Sequence, residues 1–161
     1  MAFTASAIFR EWPIQALQVS GTGYTGLDSD SVKAALYGNT GTPDKDAAVG
    51  LTGYAAATSA WVVANEVTDA TNWVAGGRVL AGKTFTTPAT GVAMFDATDL
   101  AGGGNVTVAN VYGCLVYDDT ITAGTVADQG VCYNYFGGPQ SVTAGTFTII
   151  WNANGVLRFT T

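Results

Sequence analysis

Apolar side chains recur at every second position in much of this chain, which is the period of a β-strand and not of a helix. In residues 143–152, for example, Phe147, Ile149 and Trp151 fall on one face, and mainly threonines fall on the other. Further strand candidates, separated by glycine-rich turns, are residues 31–37, 77–87, 90–97, 105–117, 129–136 and 156–161. Short strands at this spacing predict an all-β fold, a single β-sandwich or jelly-roll-like domain of about 8–10 strands.

The strand predicted at residues 105–117 differs from the others because its second half is apolar on both faces. A strand of this kind is typical of a sheet that is buried on both sides. We therefore expect it to be covered on both sides, by another layer of the domain or by a neighbouring subunit. The residues predicted to share one of its faces are Val106, Val108, Tyr112, Cys114 and Val116.

Turn and helix signals complete the prediction of the fold. The pair Asn154-Gly155 favours a tight hairpin, in which both turn residues adopt positive φ, between residues 143–152 and the strand that follows. Residues 42–46 predict a helix of about two turns, ended by Gly50, because a proline and two aspartates follow an N-cap threonine. Residues 52–67 predict a loop that leads into a strand.

No linker or block of charge divides the chain. We predict that residues 1–30 form an extended N-terminal arm and that residues 31–161 form the β-sandwich domain. Such an arm can lie along a neighbouring subunit and add a strand to its sheet. Deleting residues 1–20 is then expected to leave the domain folded and to weaken assembly. The predicted anchors at that interface are Phe3, Ile8, Phe9, Trp12 and Ile14.

Composition limits the chemistry that the chain can perform. It has no histidine, and 11% of its 161 residues are Asp, Glu, Lys or Arg, compared with about 25% in ordinary domains. A Ser-His-Asp or Cys-His arrangement is therefore impossible within this chain. The lysines also lack the spacing to a serine that a lysine-activated nucleophile needs. We expect a structural protein with no enzymatic activity and no catalytic residues.

Carboxylates are the remaining candidates for catalysis or metal binding. Glu66 with Asp96 or Asp99 is the least unfavourable pair for a glycosidase. Three other pairs lie in turns rich in Gly, Thr and Ser, where aspartate is expected to bond to its own backbone and, less favourably, to hold an incidental cation. These pairs are Asp28 with Asp30, Asp44 with Asp46, and Asp118 with Asp119. We expect neither a metal nor a cofactor.

Two further motifs favour structural roles. The GxGxxG pattern at residues 21–26 is followed by Asp28 and Asp30, which would oppose a pyrophosphate, so it predicts a flexible turn and not a nucleotide site. Cys114 and Cys132 are expected to be buried reduced thiols, with a bridge between adjacent strands as the alternative, and they are too few for a zinc site. The tryptophans and tyrosines are assigned to the core, with a subunit interface or a sugar-binding shelf as alternatives.

Charge and hydropathy narrow the range of partners. The net charge of −6 opposes binding to nucleic acid, because neutralising phosphates requires clustered Lys and Arg. The apolar runs all fall short of the ~20 residues that cross a membrane, so no membrane partner is expected. The first residues do not follow the pattern of a signal peptide, so synthesis in the cytoplasm is expected.

Several groups of residues, in their order along residues 30–160, resemble small virion structural proteins of tailed bacteriophages. These groups are Glu66-Val67, Trp73, Ala75-Gly76-Gly77, Phe95-Asp96-Ala97, Tyr117-Asp118 and the strand Gly145-Thr146-Phe147-Thr148. The resemblance implies a β-rich, non-enzymatic component of the virion, of the capsid decoration or minor capsid type. It would stabilise the head by bridging major-capsid subunits, together with copies of itself as a homo-oligomer or in a symmetric assembly. The alternative is a tail-tip or fibre module that recognises a host carbohydrate or receptor.

Overall fold

The computed structural model describes residues 3–17, 24–122 and 126–160. Within those ranges the chain forms ten strands, one short helix, α1 (Glu11–Leu17), and two 3-10 turns, Val49–Leu51 and Val63–Asn65. The predicted all-β, sandwich-like domain is confirmed. The strands are β1 (Ala7–Ile8), β2 (Val32–Tyr37), β3 (Arg78–Val79), β4 (Thr84–Ala89), β5 (Val92–Asp96), β6 (Leu100–Ala101), β7 (Val106–Asp118), β8 (Gln129–Gly145), β9 (Thr148–Ile149) and β10 (Leu157–Thr160).

The strands form three antiparallel sheets that pack together. The largest has five strands in the order β1-β8-β7-β2-β3, and the smaller sheets have the orders β10-β5-β4 and β6-β9. The two longest strands, β7 and β8, pair with each other from Asp118 opposite Gln129 to Val106 opposite Gly145. The fold is therefore organised around one long hairpin, the β7–β8 hairpin, to whose edges β1 and β2 are added.

Aromatic side chains cover one face of the β7–β8 hairpin. On that face Leu115 of β7 lies opposite Tyr133 of β8 and Ala35 of β2. Trp61, from the loop between β2 and β3, is 1% exposed. Its ring lies 5.1 Å from that of Tyr37, edge to face, and 5.6 Å from that of Tyr133, measured between centroids. Contacts of this geometry stabilise a core beyond the burial of area alone.

Two glycines on the same side of the hairpin form sockets for Phe3 and Phe9. A Cβ atom at Gly113 would lie 2.7 Å from Cε1 of Phe3, and one at Gly130 would lie 2.6 Å from Cε2 of Phe9. Real side chains do not approach this closely, so larger residues at these positions would displace the phenylalanines. Phe3 and Phe9 are buried, and both rings pack edge-on against Trp61.

Residues 3–17, which we predicted to extend towards a neighbouring subunit, lie on the domain of their own chain. β1 extends the five-stranded sheet, with Ala7 opposite Tyr133 and Ile8 opposite Cys132. Because Phe3 and Phe9 are part of the core that the other described residues form, residues 3–17 belong to the same packed unit as the described residues from 31 onwards. Deleting this segment would therefore remove core side chains as well as an exposed surface.

The short helix α1 was not predicted from the sequence. Pro13 lies in its first turn, where its missing N–H group is not needed for an intrahelical bond. Trp12 is 5% exposed and stacks on Phe159 of β10, with the ring centroids 6.2 Å apart. Packing of this one aromatic face stabilises a helix that is too short to form by its own propensity.

The other face of the five-stranded sheet is also buried. It carries side chains that alternate with those of the aromatic face, among them Ala34, Leu36, Cys114 and Val116, none of which is exposed to solvent. The predicted coverage of both faces is therefore confirmed, and layers of the same chain provide it. The smaller sheets contribute Phe95, Leu100, Ile149 and Leu157 to this buried cluster.

Strand β7 follows the predicted alternation only in part. Val106 and Val108 are buried, but the next buried side chain is Val111, while Tyr112 is half-buried. The register of β7 with β8 shifts on both sides of Val111, and Asn110 has a φ of 55°. Such a bulge inserts a residue and reverses the faces that follow it. The face predicted for this strand is thus interrupted near its middle.

The hairpin predicted at Asn154-Gly155 is present only as a turn. The N–H of Gly155 donates to the carbonyl of Asn152 at 2.7 Å, and Gly155 has a φ of 77°, but Asn154 does not have the positive φ that we predicted. The flanking strands belong to different sheets, since β9 pairs with β6 and β10 pairs with β5. Burial of Leu157 and Phe95 in the core determines this pairing, and the local turn signal does not.

The helix predicted after Thr42 is also wrong. The Asp44 carboxylate accepts a hydrogen bond from the N–H of Asp46 at 2.9 Å, and this local turn competes with a helix. Residues 52–67 form a loop, as predicted, but the expected strand is reduced to a 3-10 turn, Val63–Asn65, and a single bridge between Glu66 and Tyr37.

Cys114 and Cys132 are free thiols and both are buried, as predicted. Cys114 lies opposite Asn134, and Cys132 lies opposite Val116. The two cysteines are therefore diagonal neighbours, which are about 7–8 Å apart in a sheet, whereas a disulfide brings the Cβ atoms to about 3.8 Å. Burial raises the pKa of both thiols, that of Cys132 to about 12.

Replacing Phe9 by alanine is expected to destabilise the domain by about 3–5 kcal/mol, because it leaves a cavity beside Gly130 and Trp61. The matched control is Ile14→Ala, because Ile14 lies close by in α1 and is 45% exposed. Its truncation should change stability by less than about 0.5 kcal/mol. Urea unfolding followed by tryptophan fluorescence measures both variants. Equal stability of F9A and the parent protein would contradict the socket for Phe9.

The native protein is expected not to react with a thiol-specific chromogenic disulfide at pH 8, because the thiolate is the reactive form and burial suppresses it. In denaturant, Cys114 and Cys132 should both react and release two equivalents of chromophore per chain. Rapid release of even one equivalent from the folded protein would show that one of the thiols is accessible.

Candidate interaction surface

Seven large apolar side chains in the described part of the chain are more than a third exposed: Ile14, Leu51, Val63, Val74, Val79, Phe85 and Ile150. Single exposed apolar residues are normal on a protein surface. Ile150 differs because it has the largest exposed fraction of the seven, 75%, and lines a groove. An exposed apolar side chain at the rim of a groove is a candidate for contact with another molecule.

The groove runs between the second half of β8 and residues 146–150, and its volume is about 580 Å³. Phe136 and Val142 line it from β8, and Phe147 and Ile150 line it from the other side. None of the described residues that line it is charged. Covering the groove therefore buries no charge, but its hydroxyl and amide groups need hydrogen-bond partners in the contact. A permanent contact that provides those partners fits this lining.

Backbone groups of β9 face this groove. The N–H of Gly102 donates to the carbonyl of Phe147 at 2.7 Å, and Ile149 pairs with Leu100 of β6. Because alternate residues of an antiparallel strand bond to opposite sides, the backbone groups of Thr148 and Ile150 point away from β6. In the described chain no strand pairs with that edge of β9. An unpaired edge of this kind can accept an added strand.

A second cavity of about 260 Å³ continues the groove towards β1. It is lined by Ser6 and Trp151 and shares Phe136 and Ile150 with the groove. The indole N–H of Trp151 donates to the carbonyl of Thr98 at 3.2 Å, which fixes the orientation of the ring. We define the two cavities together as the β8–β9 groove.

The predicted interface anchors do not form one exposed surface. Phe3, Phe9 and Trp12 are buried within the chain, Ile8 is half-buried in β1, and Ile14 is exposed on α1. The sequence predicted these five residues as anchors on a neighbouring subunit, whereas three of them are buried in the core of their own domain. Of the five, Ile14 has the side chain that is most available to a partner.

Each of the three carboxylates considered for glycoside hydrolysis accepts hydrogen bonds from a different segment of the chain. Glu66 accepts hydrogen bonds from the Tyr54 hydroxyl at 2.8 Å and from the N–H of Gly76 at 3.0 Å. Burial raises the pKa of Glu66, although these donors act in the opposite direction. Asp96 accepts the N–H of Ala97, and Asp99 accepts the N–H of Trp151. Their contacts therefore organise loops.

The acidic pairs that are close in sequence also act separately. Asp46 forms an ion pair with Lys45 at 2.5 Å, and Asp119 forms one with Lys33 at 2.8 Å. Asp28 is exposed, whereas Asp30 is buried. Among the described residues no group of three or more Asp, Glu or Cys side chains is arranged to hold a metal ion. The pair that the fold brings together, Asp30 with Asp118, was not predicted because its members are far apart in sequence.

The first half of the GxGxxG pattern lies outside the described residues. Its last glycine, Gly26, begins a turn in which its carbonyl accepts the N–H groups of Ser29 and Asp30 at 2.9 Å and 2.8 Å. The chain then enters β2 and does not form the helix that a dinucleotide site requires.

The β8–β9 groove was not predicted as a site, although one signal for it was present. The alternation in residues 143–152 places Ile150 on the face opposite to Phe147 and Ile149, and the structure confirms these faces. An isoleucine on the exposed face of an edge strand is the feature that points to a covered surface.

Comparisons with known proteins add nothing to this description of the surface. None of the helices in the described ranges has the length and apolar character needed to span a membrane. No protein-family profile, no curated protein and no solved structure matches the chain.

Proposed function

We propose that this chain is a structural protein of a tailed-phage virion, a capsid decoration or minor capsid protein that bridges neighbouring major-capsid subunits. The observation that carries the proposal is the uncharged β8–β9 groove, with Ile150 exposed beside an unpaired strand edge. The resemblance of residues 30–160 to small virion proteins is the reason for proposing that the partner belongs to a phage virion.

The chemistry of the groove favours a long-lived contact with an extended segment of another protein. A strand added to the edge of β9 would satisfy the backbone groups of Thr148 and Ile150, and its alternate side chains would enter the groove. Obligate interfaces resemble a domain core and carry few charges. A decoration protein binds once and then stays bound, so this type of contact suits it better than a polar, reversible one.

Several residues that carry the resemblance have structural contacts that are consistent with a rigid component. Glu66 and Gly76 join two loop segments through a hydrogen bond, and the Tyr117 hydroxyl donates to the Gly76 carbonyl at 2.7 Å. Tyr117 also stacks on Tyr54 at 4.9 Å between centroids. These residues hold the loops that cover the sheet, so they support a shared scaffold and not a shared reaction.

A second function, recognition of a host carbohydrate by a tail-tip or fibre module, is favoured by one observation. The cavity that continues the groove carries Tyr135, Phe136 and Trp151, three half-buried aromatic rings close to one another. Aromatic faces of this kind stack on the apolar faces of sugars. This function predicts binding to isolated glycans, whereas a decoration protein requires the capsid surface.

The abundance of the chain in purified particles tests the proposed location. We expect it to co-purify with the heads and to be present in hundreds of copies per particle, quantified against the major capsid protein by stained gel or mass spectrometry. A few copies, found with isolated tails, would favour the tail-tip function instead. Absence from particles would refute a virion role.

Replacing Ile150 by aspartate tests the groove. We expect I150D to bind heads assembled from the major capsid protein at least tenfold more weakly, because the charge would be buried without a partner. The matched control is Val63→Asp, since Val63 is 49% exposed and does not line the groove. Both variants should unfold within about 0.5 kcal/mol of the parent protein. If I150D and V63D bind as the parent does, the groove is not the contact surface.

A further inference from the structure

Two carboxyl groups meet in a buried site at the end of the β7–β8 hairpin. Asp118 is the last residue of β7 and is 0% exposed, and Asp30, just before β2, is 3% exposed. Asp118 lies opposite Val32 of β2 and Gln129 of β8. The segments that carry them are adjacent, since the N–H of Asp119 donates to the carbonyl of Ser31 at 2.8 Å, and each carboxyl group affects the pKa of the other. A hydrogen bond between two carboxyl groups requires a proton on one of them.

The other contacts of Asp30 identify it as the ionised partner. Its carboxylate accepts hydrogen bonds from the backbone N–H of Thr25 at 3.0 Å, from the N–H of Gly26 at 3.1 Å and from the Thr25 hydroxyl. Donors of this kind stabilise a carboxylate. Burial acts to raise the pKa of Asp30, but these donors outweigh it, so its pKa lies below the ordinary value.

Asp118 has the opposite environment. Its Oδ1 accepts the N–H of Thr120 at 3.0 Å, but its Oδ2 is buried and receives no hydrogen bond from the described protein. Burial, followed by the charge of Asp30, raises the pKa of Asp118 to about 7. An unpaired buried oxygen beside an ionised carboxylate is the position at which a proton is most strongly stabilised.

The surrounding charges do not neutralise two carboxylates. Lys83, in the loop before β4, donates to the backbone carbonyl of Asp30, and its charge lies close enough to Asp118 to favour ionisation. Tyr24 and Asp28 lie on the turn that carries Asp30. On β2 and beyond β7, Lys33 and Asp119 pair with each other, and Asp128, which precedes β8, interacts with both of them. Among the described residues, one cation, Lys83, therefore lies close to both Asp30 and Asp118.

We propose that Asp30 and Asp118 share one proton, and that this proton latches the turn formed by residues 24–30 to the end of the β7–β8 hairpin. Loss of the proton leaves two negative charges in a buried site. The two carboxylates then repel each other, and the turn separates from the hairpin. Leu27 lies in this turn and is 0% exposed, so release of the turn would expose an apolar side chain.

Gln129 provides an alternative partner for the ionised form. Its Nε2 is buried without an acceptor, and it lies directly across the sheet from Asp118. When Asp118 loses its proton, its carboxylate can take this donor in place of Asp30. The site thus offers a partner to Asp118 in each protonation state, which is what a two-state switch requires.

The direction of the pH dependence follows from the two pKa values. The folded-state pKa of Asp118, about 7, is above its ordinary value of 3.8, so its contribution to stability is complete below about pH 4 and is lost as the pH rises through 7. The lowered pKa of Asp30 acts in the opposite direction, but only at acidic pH. Between about pH 5 and pH 8 the latch should therefore make the protein less stable as the pH increases.

Urea unfolding at pH 5, 7 and 8.5 tests this dependence with Asp118→Asn and a matched control, Asp28→Asn. Asparagine at position 118 can donate to Asp30 at every pH. The free energy of unfolding of D118N should therefore decrease much less with increasing pH than that of the parent. Asp28 is exposed on the same turn, so D28N should behave as the parent does. We expect the unfolding constant of the parent to increase at least tenfold more than that of D118N from pH 5 to pH 8.5. Equal changes in the three proteins would overturn the proposal.

Two measurements on the unmodified protein keep the test independent of whether D118N folds. Carbon-detected NMR of the side-chain carboxyls should show one aspartate that titrates near pH 7. Above pH 7, the hydrogen-exchange rates of the amides of residues 25–31 should increase by more than the intrinsic exchange rate increases with pH. If all the aspartates titrate below pH 5, or if these amides keep their protection, the latch does not exist.

Discussion

The β7–β8 hairpin is the element on which the rest of the structure depends, because its sheet is apolar on both faces and must be covered twice. Trp61 and the two N-terminal phenylalanines cover one face, and Phe95 and Leu157 of a smaller sheet belong to the same buried core. Several of the side chains that pack on the sheet come from segments with little regular structure of their own, such as the segment with the two-residue strand β1. These segments are held by burial against the hairpin more than by their own hydrogen bonds.

Several of the few charges in this chain have a definite structural effect. Glu66 fastens two loops through hydrogen bonds, and Asp30 organises its own turn in the same way. Asp118 is the exception, because one of its buried oxygens has no hydrogen-bond partner in the described protein, and the proposed shared proton would provide that partner. The β8–β9 groove, in contrast, has no charged lining among the described residues. The proposed contact through the groove and the proposed shared proton of the acidic pair thus involve separate parts of one domain.

The sequence predicted the local structure better than the partners of each element. Alternation located β2, β5 and the first half of β8, because side-chain burial in a strand follows a period of two. Asn154-Gly155 produced a turn but not a hairpin, since remote packing decides which strands pair. The same limit applies to the sites. Phe9 was recognisable as a buried anchor but its socket at Gly130 was not, and the pairing of Asp30 with Asp118 depends on the register of β2 with β7.

The glycine sockets also determine the order in which the molecule can fold. Phe3 and Phe9 are synthesised before Gly113 and Gly130, which receive them and lie far along the sequence from them. During that interval the aromatic rings have no native site and stay exposed to other molecules. Closure of the core therefore depends on contacts between distant parts of the sequence, and it cannot precede the synthesis of both glycines.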